Sequence, residues 1–172
     1  MTEPTWIQVA KRLTMNPRGG AIGSEVAIST AGLPPEQTMI VAFANLQSYE
    51  LVRRVDTDKE GNFSATIVVP TWAELDTVHY IFVSLADERP RALSEGFHVT
   101  TTEGVAHAQG TIGRAENGCV EMKNADDVLY NLVGDIGAIR TGEQVRVTGT
   151  ITDEAVCGGI GVALQVTTIT RR

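Results

Sequence analysis

Apolar and polar residues alternate in short runs along the whole chain, and Gly, Pro, Asn or Asp interrupts them about every ten residues. Successive side chains of a strand point to opposite faces, so each run can bury one face, while the interruptions leave no room for long helices. The pattern predicts an all-β protein built as a sandwich or barrel. Strands are expected at 7–15, 25–29, 38–44, 49–55, 62–69, 79–86 and 91–99, with turns at 16–20, 32–35, 56–61 and 87–90. Seven strands in about a hundred residues is the complement of a β-sandwich.

A polar stretch at 100–104 marks a change of composition. Eight of the nine aromatic residues precede it and only Tyr130 follows; residues 1–103 carry a net charge of -5, residues 104–172 a net charge of -2. We therefore place a boundary near residue 103, with one module over 1–103 and a second over 104–172. The second is expected to hold strands at 106–112, 118–123, 128–133, 144–151 and 163–169. The glycine-rich insert at 134–142 is a poor helix, although one short turn would fit. Five strands with such an insert match a small Greek-key barrel.

At 172 residues the chain exceeds a typical single domain, and 42% hydrophobic with 20% charged residues supplies enough apolar surface for cores. Fourteen Lys and Arg against 21 Asp and Glu give a formal charge of -7, which repels polyanions such as nucleic acid or anionic membrane surfaces. No apolar run is long enough for a transmembrane helix. Taken literally, the polar start after Met1 is cytosolic; together with the cysteine pair below it favours an exported chain, secreted, periplasmic or on the cell surface, whose signal peptide has been removed.

Ser24 through Pro35, Asp58 through Pro70 and Ala92 through Thr100 resemble bacterial immunoglobulin-like domains, over most of residues 5–100. Gly32 to Pro35 breaks a strand, and Gly61 ends a loop before Phe63, Ala65, Ile67 and Val69, which share one face. The resemblance implies a sandwich and a mode of display, with no catalytic residues. Without the inter-sheet cysteine pair of antibody domains, its core would rest on Phe43, Phe63, Phe82, Phe97 and a tryptophan. From Gly110 to Ile169 the chain looks like an OB-fold barrel, most specifically at 142–149, where Val145 and Val147 alternate and Gly149 stands where a barrel strand must bend. It is also similar to small uncharacterised bacterial domains with one cysteine pair.

Asp56, Asp58, Glu60 and Gly61 occupy positions one, three, five and six of a calcium loop of the EF-hand type, but Ile67 stands where the bidentate Glu would close it, and the flanks read as strands. A solvated hairpin is the stronger expectation, with a weak calcium site as the alternative. Cys119 and Cys157 are the only cysteines. A disulfide between them is the simplest expectation and would stabilise a small barrel by about 4 kcal/mol through loop closure; two free thiols are the alternative. A zinc site lacks ligands: His107 could be a third, but His79 and His98 fall in the other module.

OB-folds that bind single strands stack bases on exposed aromatics along a basic groove, and this barrel offers Tyr130 alone on a net negative charge, so nucleic acid is an unlikely partner. Trp72, after Pro70 in a loop, is the better of two tryptophans for stacking a sugar ring; Trp6 is the other, and core packing competes for both. Asn62 to Ser64 spells a glycosylation sequon, a weak signal, and Lys11–Arg12 and Arg53–Arg54 are too short for a basic patch. Nucleophile-elbow, phosphate-loop, dinucleotide and zinc-protease motifs are missing from the sequence. The expectation is a non-catalytic interaction module for protein or glycan. The alternatives are an OB-type binder of oligonucleotide or a small anion, and an accessory domain of an enzyme.

Overall fold

The alternation is expressed as strands. The computed structural model describes residues 11–116, 119–152 and 161–172 and contains fourteen strands and, among the described residues, no helix. They are β1 Lys11–Asn16, β2 Gly19–Ala21, β3 Glu25–Thr30, β4 Thr38–Ala44, β5 Tyr49–Asp56, β6 Phe63–Val68, β7 Val78–Ser84, β8 Pro90–Ser94, β9 Phe97–Thr100, β10 Val105–Glu116, β11 Cys119–Lys123, β12 Leu129–Val133, β13 Gln144–Ile151 and β14 Val162–Arg171. The all-β class is as expected. Two details differ: β2 was not anticipated, and the single strand expected at 91–99 is two, β8 and β9, interrupted before Gly96. Gly96 has no room for a side chain, since a Cβ there would lie 2.7 Å from a Val78 methyl.

The chain forms two compact units, and they do not follow a single cut. The first contains residues 11–16, 23–72 and 79–95; the second contains 17–22, 73–78 and everything described from Gly96 onward. In the first unit β5-β4-β7-β8 pair antiparallel, and β8 pairs in parallel with Lys11–Leu13 of β1. The other half of β1, Thr14 to Asn16, pairs antiparallel with β3, which pairs with β6. One strand thus serves two sheets, the corner device of a sandwich. Leu13, Val26, Ile28, Met39, Val41, Phe43, Ile67, Ile81 and Val83 are buried between them. Each such side chain contributes roughly 1.5–3 kcal/mol by leaving water.

In the second unit β10-β11-β12-β14-β13 close into a barrel, β12 and β14 being the parallel pair. Its interior holds Ala106, Ile112, Met122, Tyr130, Leu132, Val145, Val147, Val162 and Leu164. Along β13 the burial alternates residue by residue, Val145 and Val147 inside and Gln144 and Arg146 outside, as the sequence pattern required. The β13–β14 register shifts between Thr148 and Gly149, and a Cβ on Gly149 would collide with the Gln165 carbonyl. The barrel strand therefore bends where glycine alone fits. The short β2 pairs in parallel with β9 in this same unit, Gly19 opposite His98.

Candidate ligand-binding site

Polar side chains that the sequence keeps far apart meet in the second unit. Asp76 lies in the turn before β7 with φ 55, a left-handed conformation that Asp tolerates better than most residues. Its N–H donates to the Val99 carbonyl at 2.8 Å, which ties the turn to β9. Its carboxylate then joins two histidines. Oδ1 lies 3.1 Å from His98 Nε2 and accepts the His107 backbone N–H at 2.9 Å, while Oδ2 lies 3.1 Å from His107 Nδ1.

The donor and acceptor inventory fixes the sense of these bonds. A carboxylate can only accept, so His98 Nε2 carries the hydrogen; Nδ1 of the neutral ring is then the acceptor for the Tyr130 hydroxyl, 3.0 Å away. The same logic puts a hydrogen on His107 Nδ1 and leaves its Nε2 free to face a ligand. His98 is 0% exposed and Tyr130 2%, so this chain begins inside the barrel, and it ends at the exposed ring of His107.

His107 opens onto a cleft of about 820 Å³ on the outside of the barrel, floored by β10, β13 and β14 and bordered by Asp76 and by the turn at 123–126. The strand registers order its floor into cross-strand rows. His107 pairs with Thr148 and Thr148 with Thr168; two residues along, Gln109 pairs with Arg146 and Arg146 with Thr170. In the third row Thr111 lies between Lys123 and Gln144, and the Arg172 N–H donates to the Gln144 carbonyl at 2.8 Å. Neighbours within a row stand about 4.8 Å apart and successive rows about 6.6 Å apart. The face is a lattice of hydroxyl, amide, imidazole and cationic groups, with Arg146 at its centre.

The residues singled out by sequence are distributed differently. Tyr130 is no surface platform: its ring is buried edge-on to His98, with centroids 5.8 Å apart, and only its hydroxyl has a polar task. Trp72 belongs to the first unit, half-buried against Phe43 at 5.7 Å and His79 at 5.8 Å, so it covers the end of the sandwich instead of presenting a face to a sugar. Trp6 lies outside the described residues. So does Cys157, together with the side chain of Cys119, which opens β11; the expected disulfide falls there.

Asp56, Asp58 and Glu60 do not converge. Asp56 Oδ1 accepts from the Thr38 hydroxyl at 2.8 Å, and Asp58 Oδ1 accepts the backbone N–H groups of Glu60 and Asn62, both at 2.9 Å. Asp58 thus caps its own turn, and among the described residues no group of three or more His, Cys, Asp or Glu side chains gathers as a metal site. The alternation of acids reflects hairpin geometry.

Sequence reasoning missed Asp76, set His98 aside as lying in the other module, and named His107 only as a possible third zinc ligand beside the two cysteines. One signal was present. All four residues of β9 are buried, and a histidine in a strand buried on both faces needs partners for both ring nitrogens. The partners come from residues 22 positions before it and 32 after it, which no local pattern reveals.

No protein-family model matches the chain, and no curated protein matches it significantly in sequence.

Proposed function

We propose that the chain is a non-catalytic binding module of the secreted or cell-surface type, an immunoglobulin-like sandwich joined to an OB-like barrel, and that its ligand is a glycan held in the barrel cleft. The observation that carries this is the lattice itself: three adjacent strands present polar side chains at every outward position across three rows. A pyranose chain displays hydroxyls at comparable intervals and is held by such groups through many modest hydrogen bonds.

A binding role is favoured over turnover by what surrounds His107. Asp76 orients its ring as it would a general base, yet among the described residues no hydroxyl or thiol hydrogen-bonds to Nε2. Oligonucleotide is disfavoured because the Tyr130 ring is buried, which leaves the His107 imidazole as the one exposed aromatic ring among the described residues lining the cleft, where a strand of several bases needs several.

A protein partner is the second reading, supported by the exposed Leu46 in the β4–β5 turn and Tyr49 and Leu51 at the start of β5. Strand addition along β5 is discouraged by a bulge, because Val41 faces Arg53 while Ala42 faces Leu51, leaving Val52 unmatched. A glycan array probed with the intact chain and with a Gln109→Ala/Thr148→Val variant tests the proposal. Retention of a glycan class by the parent and its loss in the variant are expected; no retained glycan, or equal retention by both proteins, would reject the cleft.

A further inference from the structure

Among the described residues most arginines already have an acceptor. Arg91 pairs with Asp87 at 2.7 Å, Arg171 with Glu143 at 3.2 Å, Arg12 with Glu95, and Arg53 donates to the Thr66 carbonyl at 2.6 Å. The side chains of Arg54, Arg89 and Arg140 have none among the described residues and stand apart from the cleft, whereas three such cations line the cleft together. Arg146, Lys123 and Arg172 have no side-chain hydrogen bond or ion pair with any described residue. In a chain of net charge -7, three uncommitted cations on one concave surface are not accounted for by the balance of neighbouring charges.

The acids at the cleft do little to offset them. Asp76 is occupied by His98 and His107 and so lies bound at one end of the lattice. Asp126 stands at the rim in the turn after β11, where its N–H donates to the Asn124 side chain at 2.9 Å. Arg146 is flanked by Gln109 on β10 and Thr170 on β14, neutral groups that can hydrogen-bond the hydroxyls beside an acid group without competing for the guanidinium. A planar guanidinium matches a carboxylate in two parallel hydrogen bonds, which an ammonium cannot reproduce.

We infer that the cleft selects an acidic glycan, a uronate-bearing oligosaccharide whose carboxylate is bound by Arg146, with Lys123 and Arg172, at the two ends of the next row, each serving a further acid group. This rests on the glycan reading of the cleft and adds the charge of the ligand. It also reconciles an acidic protein with an anionic ligand, because the repulsive field of the whole chain is screened beyond about 8 Å at physiological salt while the contact pairing is local.

The test is a titration of the ¹⁵N-labelled intact chain with trigalacturonate, with neutral maltotriose, and with citrate as a free polycarboxylate. Each is repeated on Arg146→Gln and on Arg89→Gln, a distant control in the first unit. Trigalacturonate is expected to saturate shifts of the β10, β13 and β14 amides, more tightly than maltotriose. Arg146→Gln should weaken it about tenfold or more, the usual loss for a charge-assisted pair, with Arg89→Gln unchanged.

If maltotriose binds the same amides equally well and Arg146→Gln has no effect, the anionic selectivity is wrong and the glycan site stands. Saturation by citrate alone would overturn the uronate assignment in favour of a free anion. No saturable change in the cleft with any of the three would overturn both the inference and the glycan site. Unchanged melting of Arg146→Gln checks that the fold is intact, as expected for a side chain with no hydrogen bond or ion pair to any described residue.

Discussion

Tyr130 shows how one hydroxyl can be more informative than the ring that carries it. Its ring fills the barrel interior as any large apolar group would, but the hydroxyl holds His98 Nδ1, whose other nitrogen is fixed by Asp76. Tyr130→Phe keeps the packing and removes the buried hydrogen bond to His98 Nδ1, so the expected cost is about 1–3 kcal/mol, read as a lower denaturation midpoint at unchanged denaturant dependence. Loss of only a few tenths would mean that His98 is not held through this bond. Tyr130 was legible in the sequence as the lone aromatic of its half; its partner was not, because a histidine at position 98 carries no local mark of what its nitrogens will meet.

The hairpin from β5 to β6 is the element that looked most like a site and proved to be a turn. Asp58 binds backbone N–H groups of its own loop, and Gly61 has φ 80 with the Leu33 backbone where a Cβ would be. Both constraints act on Gly61→Ala at once, the left-handed backbone and the collision with Leu33, whose own N–H donates to the Gly61 carbonyl at 3.1 Å. The expected loss exceeds the roughly 1 kcal/mol of a simple left-handed penalty and should appear as a drop in melting temperature. An unchanged melting temperature would refute it. The hairpin itself was readable, since alternating acids before Gly61 and alternating apolar residues after it are local features. The split of the segment at 91–99 into β8 and β9 was not, because β8 pairs with β1 and β7 in the first unit while β9 pairs with β2 in the second, partners distant in sequence.

At the scale of the whole molecule, the second unit recruits residues 17–22 and 73–78 and begins at Gly96, ahead of the composition change near 103. A fragment of residues 104–172 therefore lacks β2, β9, His98 and Asp76, and loses the hydrogen bond between His98 and the Tyr130 hydroxyl. It should fold less stably than the same unit in the intact chain, with an earlier and broader thermal transition by circular dichroism; a transition matching that of the intact chain would show that the recruited segments are dispensable. The sequence alone determined the all-β class, the positions of most strands and which face of β13 turns inward, because alternation and turn residues are local and a strand's two faces follow from its period of two. Tertiary structure alone decided that Asp76, His98, His107 and Tyr130 form one hydrogen-bonded chain and that Gln109, Arg146 and Thr170 lie side by side. Strand register and unit boundaries are set by packing between segments distant in sequence, where no single stretch of residues records its neighbours.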